Sequence, residues 1–284
     1  MPIVERDLSF AAVANASPQT LTREQIEQYN VKGYVKPFDA FSDTEIAAER
    51  DYFDFLIAEL KRHDPSRDHY ALNCYHTLCE GIWSLATHPT ILDHVEDIVG
   101  PNIVCWATHY FCKMPHDERA VPWHQDASYW PLTPSRTCTV WLALDDADEE
   151  NSAMRFIPGT HDKGHLKWHK SEGPVVLDQE IDDTEKLIEE AGGVVYDTLK
   201  AGQFSMHADM LAHGSDPNRS DRRRLGLTLR YCPPVVRATD HDWAANAIIC
   251  RGEDPEGYWK HHACPVGNDL EKPAFLKSKV VGGN

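Results

Sequence analysis

The chain has 284 residues, of which 42% are hydrophobic and 26% charged, with a formal net charge of −17. That balance supplies a sizeable core and excludes a largely disordered chain, while the acidity excludes a general role in gripping nucleic acid or anionic membrane, since both partners demand a basic face. No run approaches eighteen apolar residues and the opening MPIVERDLSF carries acidic residues in place of an apolar h-region, so no membrane span and no signal peptide are expected and the cytoplasm is the expected compartment.

Along the chain, two capping boxes predict helix starts: Thr22 with Gln25 in LTREQIEQYN, and Ser42 with Glu45 in FSDTEIAAERDYFDFLIAEL. In the second, Ile46, Phe53, Leu56, Ile57 and Leu60 recur at helical spacing and mark a buried stripe. A third helix, PTILDHVEDIVG, should stop at Gly100-Pro101. Beyond it the texture changes to short runs rich in β-branched and aromatic residues: NIVCWATHYFCK, RTCTVWLALDD, AMRFIPGT, GGVVYDTLKAGQFSMHADM and RRLGLTLRYCP. Each is bounded by Pro, Gly, Asp or Asn, as strands are. The acidic DQEIDDTEKLIEEAGG reads as an exposed, partly helical insertion, and the terminal VVGGN as a frayed tail. The fold expected is mainly β with flanking helices: a double-stranded β-helix, the jelly-roll barrel of cupin-like proteins. One domain is expected over 1–284, with a helical cap at about 20–100, a jelly-roll core at about 101–235 and a C-terminal extension at 236–284. Eight cysteines without a Cys-x-x-Cys pair, several in apolar runs, read as buried free thiols.

The stretch VPWHQDASYW puts His124 and Asp126 two residues apart, the spacing at which strand residues share a side. A lone His-x-Asp is weak, and more often surface polarity than a metal site. Among the 16 histidines the best third ligand is His213, which closes a later strand and precedes a basic run. Two histidines and a carboxylate on one face of an ion leave the opposite positions open, the facial triad of non-haem Fe(II) oxygenases. Many such enzymes draw electrons from 2-oxoglutarate, whose far carboxylate suits a bidentate guanidinium. Arg224 lies eleven residues after His213; in a strand, Arg224, Gly226, Thr228 and Arg230 share one face, with Leu225, Leu227 and Leu229 on the other. One face is then basic, with a glycine permitting close approach, and the other is core. The run His161, His165, His169 has i, i+4 spacing, but no carboxylate or cysteine completes it nearby and a solvated loop is the better reading. Arg222 and Arg223 read as solvent-facing or paired with acidic residues.

The segments WHQDASYWPLTPSRTCTVWLAL, NSAMRFIPGTH and LAHGSDPNRSDRRRLGL resemble the phytanoyl-CoA dioxygenase family of Fe(II)/2-oxoglutarate oxygenases, over roughly Gly33 to Pro233. The order His-x-Asp, Trp in the next strand, Pro-Gly-Thr-His, His-Gly-Ser, then Arg is far more specific than any one part. The resemblance implies Fe(II) bound by His124, Asp126 and His213, O2 as oxidant, and 2-oxoglutarate contacted by Trp141, Ser215 and Arg224, with His109 and Asn73 as further contacts. Related halogenases replace the carboxylate ligand with Ala or Gly, so Asp126 favours hydroxylation.

The substrate should be a small molecule walled by Tyr129 and Trp130, Phe111 and Lys113, Arg155, Arg230, and Tyr34 or Tyr29 from the cap. Aromatics suit an ammonium by cation–π attraction and the basic residues suit an acidic group, which together point to a small zwitterion. Trp123, Tyr129 and Trp130 could equally be core. Within the family the chain is similar to the bacterial branch that hydroxylates aminophosphonates such as 2-aminoethylphosphonate and its N-methylated forms. A tailoring oxygenase of an apolar natural product and a non-catalytic ligand-binding jelly roll are the alternatives.

Overall fold

A computed structural model describes residues 5–271 of the protein; the VVGGN tail and the first residues of MPIVERDLSF lie outside them. Both capping boxes form. Thr22 caps α1 (Arg23–Lys32) and Ser42 caps α2 (Asp43–His63), each with the reciprocal bond from the N3 side chain that satisfies two otherwise orphaned donors. The stripe of α2 is buried as expected at Ile46, Phe53, Leu56, Ile57 and Leu60. Helices α3 (Glu80–Ala86) and α4 (Pro89–Val99) follow, and α4 ends at Gly100 with φ 94°.

The strands are β1 (Tyr34–Asp39), β2 (Ile103–Lys113), β3 (Val121–His124), β4 (Leu132–Thr133), β5 (Cys138–Ala143), β6 (Arg155–Phe156) and β7 (Trp168–Lys170). They continue with β8 (Gln179–Ile181), β9 (Val195–Tyr196), β10 (Gln203–Ala208), β11 (His213–Ser215), β12 (Arg224–Cys232), β13 (Arg237–Ala238) and β14 (Ile248–Arg251). Two short helices interrupt them: α5 (Asp126–Tyr129), after β3, and α6 (Thr184–Ala191) within the acidic insertion. A six-stranded antiparallel sheet in the order β1-β10-β5-β12-β2-β14 and a four-stranded one in the order β3-β11-β6-β9 form the jelly roll of cupin-like proteins. The chain ends beyond the expected core are not mere appendages. Strand β1, inside the expected helical cap, and β14, inside the expected C-terminal extension, are the two edges of the larger sheet.

Alternation decides what each face of that sheet does. Leu225, Leu227 and Leu229 of β12, Val140 and Leu142 of β5, and Phe204 and Met206 of β10 are wholly buried in one cluster with Phe53 and Leu56 of α2 and Ile91 and Val95 of α4. Each such side chain contributes roughly 1.5–3 kcal/mol by leaving water. The opposite parity, with His109 and Phe111 on β2, Trp141 on β5, His207 on β10 and Arg224, Thr228 and Arg230 on β12, lines an internal cavity. The segment before α1 straps across α5 and the chain that follows it, beside the cavity, and across α4. Arg6 donates to the carbonyls of Ala127 (2.8 Å) and Trp130, the Asp7 amide to Thr133 Oγ1 (2.9 Å), and the Gln19, Thr20 and Leu21 amides to the buried Asp97 carboxylate. All eight cysteines are free thiols. Among the described residues no helix is long and apolar enough to cross a membrane.

Candidate active site

His124 is the last residue of β3, but Asp126 is not on the strand as expected: it opens α5, the backbone bending after extended Gln125. The bend is held from outside. Gln125 points away from its neighbours and donates to the carbonyls of Met210 (2.7 Å) and Gly164 (3.0 Å), while its Oε1 accepts from the Leu166 amide (2.8 Å). The Ala127 amide donates to the Asp209 carbonyl at 2.9 Å. His213 opens β11 directly opposite His124. One ligand-type atom from each of His124, Asp126 and His213 lies within 4.8 Å of the others, and all three residues are buried.

The imidazoles are set for a metal. His124 Nδ1 donates to the Pro122 carbonyl and His213 Nδ1 to the Leu211 carbonyl, each at 2.8 Å and each two residues back. That fixes the proton on Nδ1 and leaves both Nε2 lone pairs for the shared centre, where they stand 3.6 Å and 3.9 Å from Asp126 Oδ1. Burial lowers the pKa of His213 well below the ordinary histidine value, with His124 adding to the effect. For Asp126 burial pushes upward, but His124, His207, His213 and Arg230 outweigh it and hold the carboxyl well below its usual range. Thr139 Oγ1 donates to the other carboxylate oxygen, Oδ2, at 3.3 Å. Two imidazoles that turn their Nε2 atoms inward and a carboxylate, all buried, are a donor set that fits a divalent ion with open positions.

The cavity beside this cluster has an empty volume of about 620 Å³, its open mouth included. Of the residues expected around the cosubstrate, Trp141, Ser215, Arg224 and His109 line it. Arg224 is 2% exposed, its Nη2 is 3.5 Å from Ser215 Oγ, its Nε has no hydrogen-bond acceptor, and its guanidinium lies over Trp141 at 5.6 Å. Gly226 opens the strand, but for a different guest than expected: a Cβ there would stand 2.1 Å from Trp141 Cζ2, so the glycine makes room for the indole. His109 donates from Nε2 to the Tyr70 carbonyl at 2.9 Å, and burial, followed by Arg230, pushes its pKa down to about 3. Asn73 pairs with His109 through the backbone only and does not line the cavity.

The expected substrate wall is half present. Phe111, Tyr129, Trp130 and Arg230 line the cavity. Lys113 does not: on the cavity side of β2, its Nζ turns aside to donate to Ser152 Oγ (3.1 Å) and the carbonyls of Ser215 (3.3 Å) and Asp216, buttressing the loop after β11, and burial, followed by Arg224, pushes its pKa down to about 6. Arg155 pairs with Asp216 (2.7 Å) over the Trp123 ring, and Tyr34 stacks on Phe156 with centroids 4.8 Å apart. Trp130 offers no open cage for a substrate cation, because Arg230 covers its ring at 4.9 Å and Trp106 packs edge-on at 4.7 Å. Tyr29 belongs to the main core. The histidines of the THDKGHLKWHK run do not converge. His169 is exposed beside Asp182 and exposed His165 meets Ser128, but His161 is buried against the Asn30 carbonyl, contrary to the solvated loop expected.

Val121, Met154, Leu177, His207 and Gly214 also line the cavity, and none of the first four belongs to a motif. His207 Nε2 is 3.9 Å from Asp126 Oδ2, and neither ring nitrogen has a hydrogen-bond partner. The parity of QFSMHA was the available signal: Phe204, Met206 and Ala208 go to the core, so Ser205 and His207 must face inward.

The family model described as phytanoyl-CoA dioxygenase (PhyH) matches residues 29–226. The chain is 31% identical over 160 residues to the peroxisomal phytanoyl-CoA dioxygenase of Bos taurus, a match covering 54% of this chain and 46% of that protein. The chain thus spans about half the length of that relative. It is 26% identical over 227 residues to a probable alpha-ketoglutarate-dependent hypophosphite dioxygenase of Stutzerimonas stutzeri, covering 73% of this chain and 77% of that one. Among solved structures it resembles the apo form of the non-heme monooxygenase ThoJ, with a TM-score of 0.73 and 27% identity over 88% of this chain and 91% of the other.

Proposed function

The chain belongs to the phytanoyl-CoA dioxygenase family, and we propose that it is an iron(II)- and 2-oxoglutarate-dependent oxygenase that hydroxylates a small polar metabolite. The observation that carries the reading is the meeting, in one cavity, of the His124, Asp126 and His213 cluster with Arg224, a buried guanidinium whose Nε has no hydrogen-bond acceptor and which forms no ion pair among the described residues. His124, Asp126 and His213 would hold the iron. Arg224, backed by Trp141 and Ser215, would take the far carboxylate of 2-oxoglutarate through its planar fork. The chemistry supplied by iron(II) with 2-oxoglutarate and O2 is oxidative decarboxylation of the cosubstrate to succinate and CO2, coupled to hydroxylation of a C–H bond.

The protein's own part is orientation and exclusion of water. The Pro122 and Leu211 carbonyls orient the ligand rings, and Gln125 holds the bend that presents Asp126. Phe111, Val121, Met154 and Leu177 give the cavity an apolar wall that keeps bulk water from the reacting carbon. A polar substrate is favoured over a bulky apolar product because charged side chains reach the cavity from β12, and an intact cluster beside Arg224 argues against a purely ligand-binding jelly roll. The test is direct: purified protein with Fe(II), 2-oxoglutarate and O2 should release succinate, and Arg224→Ala should abolish the release at cosubstrate concentrations that saturate the wild type. Succinate production that is absent in the wild type, or unaffected in the variant, would refute the assignment.

A further inference from the structure

Two guanidiniums face the cavity, and 2-oxoglutarate accounts for one. Arg230 is 4% exposed, forms no ion pair among the described residues, and its Nε has no hydrogen-bond acceptor. It is six residues from Arg224 on the same face of β12, about 20 Å along the backbone at ~3.3 Å per residue, so the two side chains enter the cavity from opposite ends of the strand. Its planar group lies over Trp130 at 4.9 Å and near Trp106 at 5.9 Å. Stacking of that kind stabilises the cation but leaves its in-plane N–H donors unsatisfied, pointing at whatever meets the edge of the group. A buried donor without an acceptor is costly, and none of the described residues offers one to Arg230 Nε. Charge balance says the same. A divalent ion, Asp126, Arg224 and a doubly charged cosubstrate are neutral together, so of the charges lining the cavity Arg230 is left without a counter-charge.

We propose that Arg230, held flat by Trp130 and Trp106, is the specificity-determining anchor for a compact anionic group on the substrate, a carboxylate or a phosphorus oxyanion, at the end of the cavity away from Arg224. The inference rests on the functional reading above, because it takes the Arg224 end to be filled by the cosubstrate. It also inverts the recognition expected from the aromatic residues: the tryptophans present a cation to the substrate instead of receiving one.

The test uses wild-type protein loaded with Zn(II) and N-oxalylglycine, a non-reacting analogue of 2-oxoglutarate, so that the Arg224 end is occupied. Methylphosphonate, acetate and the uncharged, similarly shaped dimethyl sulfone are then titrated separately by calorimetry. Either anion should bind at least tenfold more tightly than the sulfone, and the tighter anion identifies the oxyanion chemistry. Arg230→Gln should remove that preference while leaving N-oxalylglycine affinity within twofold. Arg230→Lys keeps the charge and the aliphatic stem, so it carries the comparison if the Gln variant does not fold; it should weaken the anion at least fivefold, because an ammonium lacks the fork. Anion binding that is equal in the variants places the anion on the metal and overturns the anchor. So does a large loss of N-oxalylglycine affinity, which would make Arg230 a second cosubstrate contact. If N-oxalylglycine binds and neither anion is preferred over the sulfone, the anchor fails and the functional reading stands; if N-oxalylglycine itself does not bind, both fail.

Discussion

His124 and His213 are register partners across the β3–β11 ladder, with ring centroids 4.1 Å apart. Because one rung of the sheet supplies both imidazoles, their spacing is fixed by backbone hydrogen bonding, and neither can be replaced by a neighbour. A divalent ion should therefore raise the melting temperature of the wild type, with a gain of about 2.7 kcal/mol when the ion is at a hundred times its Kd. His124→Ala and His213→Ala should lose that gain and all succinate release. Asp126→Gly should lose hydroxylation but keep a weaker metal-dependent shift. An undiminished shift in either histidine variant would remove the cluster from consideration as a metal site.

Arg224→Ala should raise the KM for 2-oxoglutarate by the equivalent of about 2–5 kcal/mol, the cost of truncating one partner of a desolvated charge pair, while metal-dependent stabilisation persists. Arg224→Lys should recover little. Arg222 and Arg223 serve as internal controls, since they are committed to Asp148 and Glu150 and to Asp145 and Asp54 respectively. A KM effect from either that matches Arg224→Ala would mean the wrong arginine has been chosen.

Gly226→Ala should damage the cosubstrate end without touching a charged group. Its new methyl collides with the Trp141 indole, at a cost of about 1–3 kcal/mol for an overpacked site. Pairing it with Trp141→Leu should relieve part of the loss, so that the double variant is more stable than the sum of the two singles predicts. Strict additivity in chemical denaturation would show that the two residues do not compete for the space.

Acid should destabilise the fold through His76, which is remote from the metal cluster. Burial pushes its pKa down to about 4, against a hydrogen bond to the Asn246 carbonyl that opposes the shift. A folded-state pKa below the unfolded value means that the unfolded chain takes up the proton first. The contribution is then fully present above about pH 6.5 and is lost as the pH falls through 4. His76→Gln, which can keep both a donor and an acceptor, should reduce the loss between pH 7 and 4 by roughly 3 kcal/mol. Equal acid sensitivity in the two proteins, measured by denaturant unfolding across that range, would contradict the assignment.

What could be read from the chain was whatever alternation and capping encode locally. The β12 parity was legible because leucine and polar residues alternate without interruption, and that alone put Arg224, Thr228 and Arg230 on the inner face. The same rule applied to QFSMHA would have exposed His207, which no motif marks. Long side chains were harder. Lys113 has the inward parity, yet four methylenes let its Nζ reach past the cavity to the carbonyls of Ser215 and Asp216. Trp130 follows the His-x-Asp motif in sequence, but its burial depends on Trp106 and Trp243, from β2 and from the segment ahead of β14, a meeting that only the completed fold determines. Asp126 converges with His124 and His213 from a helix start and not from a strand, because the bend after Gln125 is stabilised by the carbonyls of Gly164 and Met210, which no local signal foretells.

The strap formed by Arg6 and Asp7 sets an order of assembly. These residues grip Ala127, Trp130 and Thr133, contacts that span more than 120 positions of the chain. During synthesis they emerge well before the residues they grip, so these contacts close only after the cavity wall has been made. Proteolytic nicking within residues 8–18 of the finished protein should accordingly loosen Trp130, visible as a shift in tryptophan emission, while the two sheets stay folded.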